Sequence, residues 1–519
     1  MVERIQPRNG RELSRRQLLA LAGGGTMAGV AGCFGDGGEP AGDAAEQITI
    51  GLHSDITREF WELYGGVSPY WTRVLEPLLW VGPDFDVEPW LAVDWERTDK
   101  LTWEFTLRED VQFHNGEELV ADHVVHSIEK LIEQFPQARF SWRFADLEND
   151  PVRAIDDRTV EFKTREEFAG FAAGIAHNMV AVQHPETDGS EFNAVGTGPY
   201  ELVDVEREQN ARVAAFDDYW GGAPATPELT YRVIVDPTTR SLAMEDELDV
   251  GFQPPKSQVA SLRRNDAIEV REQLSSRVAL VNFNLKRGPT DDADLRRALN
   301  HAVSQETIID SILEDLGKPA RGPIGSIVDY SAYDSLPQYE QDFESARELV
   351  DRSSYDGETL KLEISNEAQA DWVPEQSKLI AEIIKVNADR IGVDLDIRVS
   401  EYAAFSDAWR AKDGHMYMFL WGTKSGSSDY IFFRYHSREN THFSLGEEFD
   451  STVTRGERAE NNEERFEAFI DAQQMMMEQA AVLPMYEHVY LMAVDRSVEG
   501  LDPHPLSEFV EMKDLRMER

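Results

Sequence analysis

Apolar residues recur along this chain in two periods. Ile48, Ile50 and Leu52 alternate with polar neighbours and predict a first strand. Leu101, Trp103, Phe105 and Leu107 alternate with Thr102, Glu104, Thr106 and Arg108, as a half-buried strand requires. Residues 120–135 carry a helical period, and 160–162, 231–235 and 278–285 predict further strands. From about residue 290 the texture changes to helix–strand crossovers. Helices are expected over 295–303 and 308–316, the second opening behind Ser304 as its N-cap. A strand on Leu360, Leu362 and Ile364 precedes a helical stripe of Leu379, Ile380, Ile383, Ile384 and Ile391 that stops near Gly392. Val393, Leu395, Ile397 and Val399 form the next strand, a helix follows over 403–411, and Met416, Met418 and Leu420 come next. Strands and helices in alternation predict parallel pairing in an α/β lobe. A long helix over 463–479 and a strand over 486–494 close the pattern, and no repeat is present.

Ahead of the first strand the pattern is of another kind. Ser14-Arg15-Arg16-Gln17-Leu18-Leu19 sets paired arginines before an apolar run over 18–31 that Gly23, Gly24, Gly25 and Gly29 interrupt. The run is too short and glycine-rich to span a bilayer permanently and reads as a twin-arginine export signal. It ends in Val30-Ala31-Gly32-Cys33, small residues before a cysteine as in a lipobox, so Cys33 is expected to carry a lipid anchor. Because Cys33 is the only cysteine, an internal disulfide is excluded. Residues 1–33 are thus signal and lipobox, and 34–47 a flexible acidic tether. The expected location is the extracellular face of the cell membrane.

Composition adds two constraints. A hydrophobic fraction of 41% over 519 residues is enough to bury a core. The 97 Asp and Glu against 51 Lys and Arg, only 12 of them lysine, give a formal net charge of −46. Such a surface repels phosphate, which argues against a nucleic-acid partner. Its self-repulsion is screened only where the Debye length falls to about 3 Å, near 1 M salt. An acid-rich, lysine-poor chain therefore predicts a salt-loving, haloarchaeal-like host.

Several blocks, in order, carry a family resemblance. They are Val74-Leu75-Glu76-Pro77-Leu78-Leu79, Pro89-Trp90-Leu91-Ala92-Val93-Asp94-Trp95, Trp103-Glu104-Phe105-Thr106-Leu107-Arg108 and Val111-Gln112-Phe113-His114-Asn115-Gly116-Glu117. Gly196-Thr197-Gly198-Pro199-Tyr200, Tyr219-Trp220-Gly221-Gly222, Asn282-Phe283-Asn284, Asp294-Leu295-Arg296-Arg297-Ala298-Leu299 and Leu483-Pro484-Met485-Tyr486 follow. Together, across 48–505, the chain resembles the family 5 extracellular solute-binding proteins of ABC importers, which take oligopeptides, dipeptides and nickel complexes. The resemblance implies a two-lobed α/β periplasmic-binding-protein-like fold of type II, with an extra subdomain on the first lobe. The expected boundaries are 48–289 for lobe I, with the subdomain near 72–195, then 290–480 for lobe II and 481–519 for the return to lobe I. It also implies capture of a peptide or peptide-like solute between the lobes, and delivery by a monomer to permease and ATPase subunits.

In peptide binders of this family the strand-to-loop region around Trp421 supplies an aromatic wall and, three residues on, an aspartate for the peptide ammonium. Here Lys424 stands at that place. A lysine facing an ammonium is repulsive, so Lys424 predicts a ligand end that is anionic or neutral, with Asp429 able to take over the amine. By the same analogy Tyr402 and Arg410 are expected from the second lobe, Phe140 and Trp142 from the subdomain, and Tyr64 at the entrance. The His114-Asn115-Gly116 and Gly196-Thr197-Gly198-Pro199 segments read as tight turns that mark the fold. His415, His436, His442 and His488 match no metal-ligand spacing, His301 reads as a core residue, and neither a metal nor a cofactor is expected. Ser127-Ile128-Glu129-Lys130 with Lys424-Ser425-Gly426 echoes two elements of penicillin-recognising serine hydrolases. The third, Ser or Tyr two residues before Asn, is absent, so no enzyme is expected. A nickel-chelate or other small-solute binder and a surface sensor remain as alternatives.

Overall fold

A computed structural model describes residues 47–57, 71–134, 143–177, 180–187, 194–366, 373–423, 429–439, 441–506 and 509–518. The signal, Cys33 and residues 34–46 of the tether lie outside the described residues, and Gln47 already belongs to the first strand.

Eleven strands form one large mixed sheet. In spatial order, ten of them are Leu395–Ser400, Leu360–Ser365, Met416–Trp421, Ile268–Phe283, Val482–Asp495, Val250–Phe252, Gln47–Leu52, Glu228–Val233, Asn210–Ala215 and Tyr200–Glu206. Gly317–Pro319 pairs separately with Val482–Asp495. The expected parallel pairing holds: Leu360–Ser365 runs parallel to both Leu395–Ser400 and Met416–Trp421. Two long antiparallel strands, Ile268–Phe283 and Val482–Asp495, join the lobes. Their ladder runs from Ile268 opposite Asp495 to Leu274 opposite Val489, then resumes at Val278 opposite Glu487. Three residues, Ser275, Ser276 and Arg277, thus oppose His488 alone, a bulge that bends the ladder where it passes between lobes.

Period-two alternation gives strands Ile268–Phe283 and Met416–Trp421 two apolar faces. Val278, Leu280, Tyr417, Phe419 and Trp421 join one core, which continues into the small sheet described below. Ala279, Val281, Met416, Met418 and Leu420 face helices Ala293–Ala302, Gln305–Ile312 and Ser377–Arg390. Ser304 caps the second of these, accepting from the Thr307 amide at 3.1 Å. On Ser377–Arg390 the buried stripe is Ile380, Ala381, Ile384 and Ala388. Leu379, expected in that stripe, is 54% exposed because it lies about 100° around the helix from Ile380. Leu101 likewise falls in the turn ahead of strand Thr102–Leu107 and is exposed.

A separate antiparallel sheet of Ala92–Asp99, Thr102–Leu107, Thr159–Lys163 and Val152–Ala154 packs against helix Ala121–Gln134. Glu76 fixes it to the first lobe. Its carboxylate is 2% exposed and accepts from Trp90 Nε1 and Tyr219 Oη, both at 2.8 Å, Thr197 Oγ1 at 2.9 Å and Trp220 Nε1 at 3.2 Å. Four of the sequence blocks therefore meet at one side chain. Gly196 and Gly198 complete the junction, because an added Cβ would lie 1.8 Å from Val74 O and 1.7 Å from Arg73 O.

Candidate functional site

Strands Gln47–Leu52 and Val250–Phe252 are parallel neighbours that end on the same side, and the residues following them are His53 and Gln253. The crevice beyond the carboxyl ends of parallel strands is where open α/β sheets bind ligands. Here it is closed by the bulge residue Arg277, by His488 and Tyr490 of the other long strand, and by Glu375 and Leu420 of the second lobe. The cavity is about 80 Å³.

Lys256 begins helix Lys256–Leu262 and is 1% exposed. Both its Nζ and its backbone amide donate to the Glu375 carboxylate at 3.1 Å, tying the first lobe to the second. Arg240 secures the loops below. It donates to Phe252 O at 2.6 Å and Gln253 O at 2.9 Å, and burial brings its pKa down to about 10. His488 lies edge-on to Tyr490 at 5.1 Å, and the Arg277 guanidinium is 5.8 Å from the Tyr490 ring.

Trp421 ends strand Met416–Trp421 and is followed by Gly422 and Thr423. Its ring is 1% exposed, stacked on Phe419 at 4.5 Å with the Arg434 guanidinium 4.5 Å above it. By alternation it faces away from Leu420, so the strand presents Leu420 to the hinge cavity and Trp421 to the opposite face. Tyr402 reaches the same aromatic group, its ring 6.3 Å from Phe405, which lies 5.0 Å from Phe419. Arg410 is not gathered there; it is exposed and pairs with Asp407 at 3.3 Å. Asp429 opens the short helix Asp429–Phe432, but its side chain is not among those described. Lys424, Phe140, Trp142 and Tyr64 lie outside the described residues.

Sequence reasoning did not single out His53, Gln253, Lys256, Arg277 or Glu375, and weighed His488 only as a metal ligand. A signal was available for two of them: His53 and Gln253 are the first polar residues after strand ends, the latter before Pro254-Pro255. Glu375 had none, since its partner Lys256 is 119 residues away.

Among the described residues, Glu117, His123 and His184 bring potential ligand atoms within 4.8 Å of one another. Their hydrogen bonds oppose a metal. His123 Nδ1 accepts from the Val120 amide at 3.1 Å and His184 Nδ1 from the Glu186 amide at 3.2 Å. Each neutral ring therefore carries its proton on Nε2, which points at the Glu117 carboxylate at 3.3 Å and 3.1 Å respectively. His301 is half-buried rather than core, against Tyr339 at 5.0 Å. Ser127 Oγ donates to Gln183 O at 3.2 Å and accepts from the Gln183 amide at 3.0 Å, and Lys130 Nζ donates to Thr187 O at 2.7 Å, so both residues of the hydrolase echo tie helix to loop.

The model of the family described as bacterial extracellular solute-binding proteins, family 5, middle region, matches residues 86–443. Heme-binding protein A of Haemophilus influenzae is 26% identical over 457 residues, 81% of this chain and 82% of the relative. The dipeptide-binding protein of Escherichia coli is 25% identical over 459 residues, 82% of this chain and 85% of its own length. Among solved structures, NikA from Brucella suis in complex with Fe(III)-EDTA superposes with a TM-score of 0.80 at 20% identity, covering 91% of this chain and all of NikA.

Proposed function

Because the chain belongs to the family 5 extracellular solute-binding proteins, the non-enzymatic capture components of ABC importers, we propose that it takes a peptide or peptide-like solute into the hinge crevice and passes it on unchanged. The observation that carries this reading is the crevice itself, walled by both lobes and crossed by the Lys256–Glu375 pair. A ligand that touches both lobes favours the closed state by the difference in its contacts. The receiving partners are permease and ATPase subunits, and the protein acts as a monomer.

We assign lobe I to 48–289 and 481–519, with its subdomain near 72–195, and lobe II to 290–480. Cys33 carries the lipid that holds the protein outside the cell after twin-arginine export. Trp421 and Tyr402 belong to the aromatic group on the face of strand Met416–Trp421 away from the crevice, and Arg410 is exposed beyond it; with Tyr64, Phe140 and Trp142 they form a ligand surface separate from the crevice walls. Lys424 selects a ligand end that lacks a free ammonium, with Asp429 the alternative amine partner. Thermal shift against a di- and tripeptide library, free and N-acetylated, tests this. Stabilisation by peptides, with the acetylated series preferred and that preference reversed in Lys424→Asp, is the expected result. The competing reading, a metal-chelate binder, is favoured by the presence of His53 and His488 in the same crevice. Calorimetric binding of Ni(II)–histidine in the absence of any peptide response would establish it instead.

A further inference from the structure

A second cavity, of about 380 Å³, lies between the small antiparallel sheet and the second lobe. It shares no lining residue with the hinge crevice. Its volume falls in the range of small-molecule sites. The small sheet contributes Trp95 and Trp103, and the second lobe contributes Phe466 and Arg465 near the start of helix Asn462–Glu478. Arg465 is 9% exposed, yet none of its side-chain nitrogens has a hydrogen-bond or ion-pair partner among the described residues, and its Nε is wholly buried. Trp103 Nε1, on the opposite wall, is a second buried donor with no partner. Two exposed carboxylates, Asp86 and Asp329, complete the lining from the two sides. The pKa of Asp329 is raised, first by burial and then by Asp86 and Asp84, while Arg465 pulls it down.

With Asp329 near enough to act on it only through space, the buried Arg465 guanidinium has no carboxylate in hydrogen-bond reach among the described residues, and its forked donors suit one supplied by a ligand. The acidic rim disfavours a simple anion and attracts a cation. Indole and phenyl walls add area for a flat apolar body.

We propose that this cavity is a second binding site, for a compact zwitterion with an aromatic body, in which Arg465 holds the carboxylate, Asp86 and Asp329 hold the ammonium, and Trp95, Trp103 and Phe466 enclose the ring. This is the chemistry of an aromatic α-amino acid. The occupant lies between the lobes and so adds to closure from a position away from the hinge.

The test uses the whole chain in high salt and isothermal calorimetry with three probes: L-phenylalanine, phenethylamine, which lacks the carboxylate, and 3-phenylpropionate, which lacks the ammonium. Phenylalanine is expected to bind at least about tenfold more tightly than either analogue. Arg465→Gln should erase its advantage over phenethylamine, and Asp329→Asn its advantage over phenylpropionate. Arg465→Gln is also expected to keep or raise the melting temperature, because it removes an uncompensated buried charge; a purely structural arginine would lower it. If that variant fails to fold, Trp95→Ala at the half-buried wall should weaken phenylalanine binding severalfold. Equal binding of the three probes, undiminished binding by the variants, or no binding to wild type at about 1 mM would each overturn the proposal.

Discussion

Glu76 shows how much one side chain can hold. Its carboxylate is surrounded by four donors from three other segments, so replacement by an amide sets an NH2 group against N–H or O–H donors. Glu76→Gln is expected to cost about 1–3 kcal/mol in urea denaturation, the range for leaving a buried polar group unpaired. The same residue has a pH signature. Burial pushes its pKa up to about 7 against the pull of its donors. Stability from this group is therefore full below the ordinary value of 4.5 and is lost as pH rises through 7. Half-buried His114 acts in the opposite sense. Its Nε2–H donates to Gly198 O at 3.0 Å, its Nδ1 accepts from the Gly196 amide at 3.3 Å, and desolvation brings its pKa down to about 4. Burial holds His415 and His442 at about 4 as well. Their contribution is full above 6.5 and lost as pH falls towards 4. His123, His126 and His436 are lowered in the same way, and Glu363, Glu487 and Glu511 are raised as Glu76 is, so acidification from pH 6.5 sets a histidine loss against a glutamate gain. Acidification should cost Glu76→Gln more than the wild type, because part of that gain is gone; denaturant midpoints measured from pH 4 to 7 check this. At this scale the sequence blocks were legible as markers, but their shared centre was not, because Glu76 meets residues up to 144 positions away.

Among elements, the second lobe was the most readable. Its strands and helices alternate with clean periods and pair with near neighbours, so residues 360–421 follow the expected order throughout. The long strand Ile268–Phe283 was seen only from Val278 onward. Its first half contains Glu269, Arg271 and Glu272, is mostly half-exposed, and is kept extended by Val489–Asp495, more than 200 residues later. The bulge it carries explains Gly422. A Cβ there would lie 2.8 Å from Arg277 Cα and from Ser276 O, both backbone atoms of the bulge. Gly422→Ala is thus expected to push the second lobe's strand off the hinge and weaken ligand binding. In a ligand thermal-shift assay it should reduce the ligand-induced rise in melting temperature more than it lowers the melting temperature of the free protein. Equal losses in both would mean that Gly422 serves stability alone. The candidate crevice escaped sequence reasoning for the same physical cause: its polar residues come from strand ends and loops with no periodicity, and the fold alone brings Lys256 to Glu375.

For the whole molecule, the decisive opposition is between a surface charge that drives the chain apart and a crevice that must close. A net charge of −46 is screened progressively as the Debye length falls from about 8 Å at 0.15 M salt to about 3 Å at 1 M. The exposed arginine–carboxylate pairs, such as Arg410–Asp407 and Arg455–Asp471, are screened by the same ions, but each contributes at most about 1 kcal/mol. Melting temperature is therefore expected to rise with potassium chloride, and cooperative unfolding to disappear below about 0.5 M. The Lys256–Glu375 pair is buried on the lysine side and is screened less. Lys256→Met should accordingly keep the same rise of melting temperature with salt, while small-angle scattering finds a larger radius of gyration for the free protein at every salt concentration. A melting temperature that falls with salt would mean that surface ion pairs, and not self-repulsion, dominate the balance. An unchanged radius in Lys256→Met would mean that the bulged strands alone keep the lobes together.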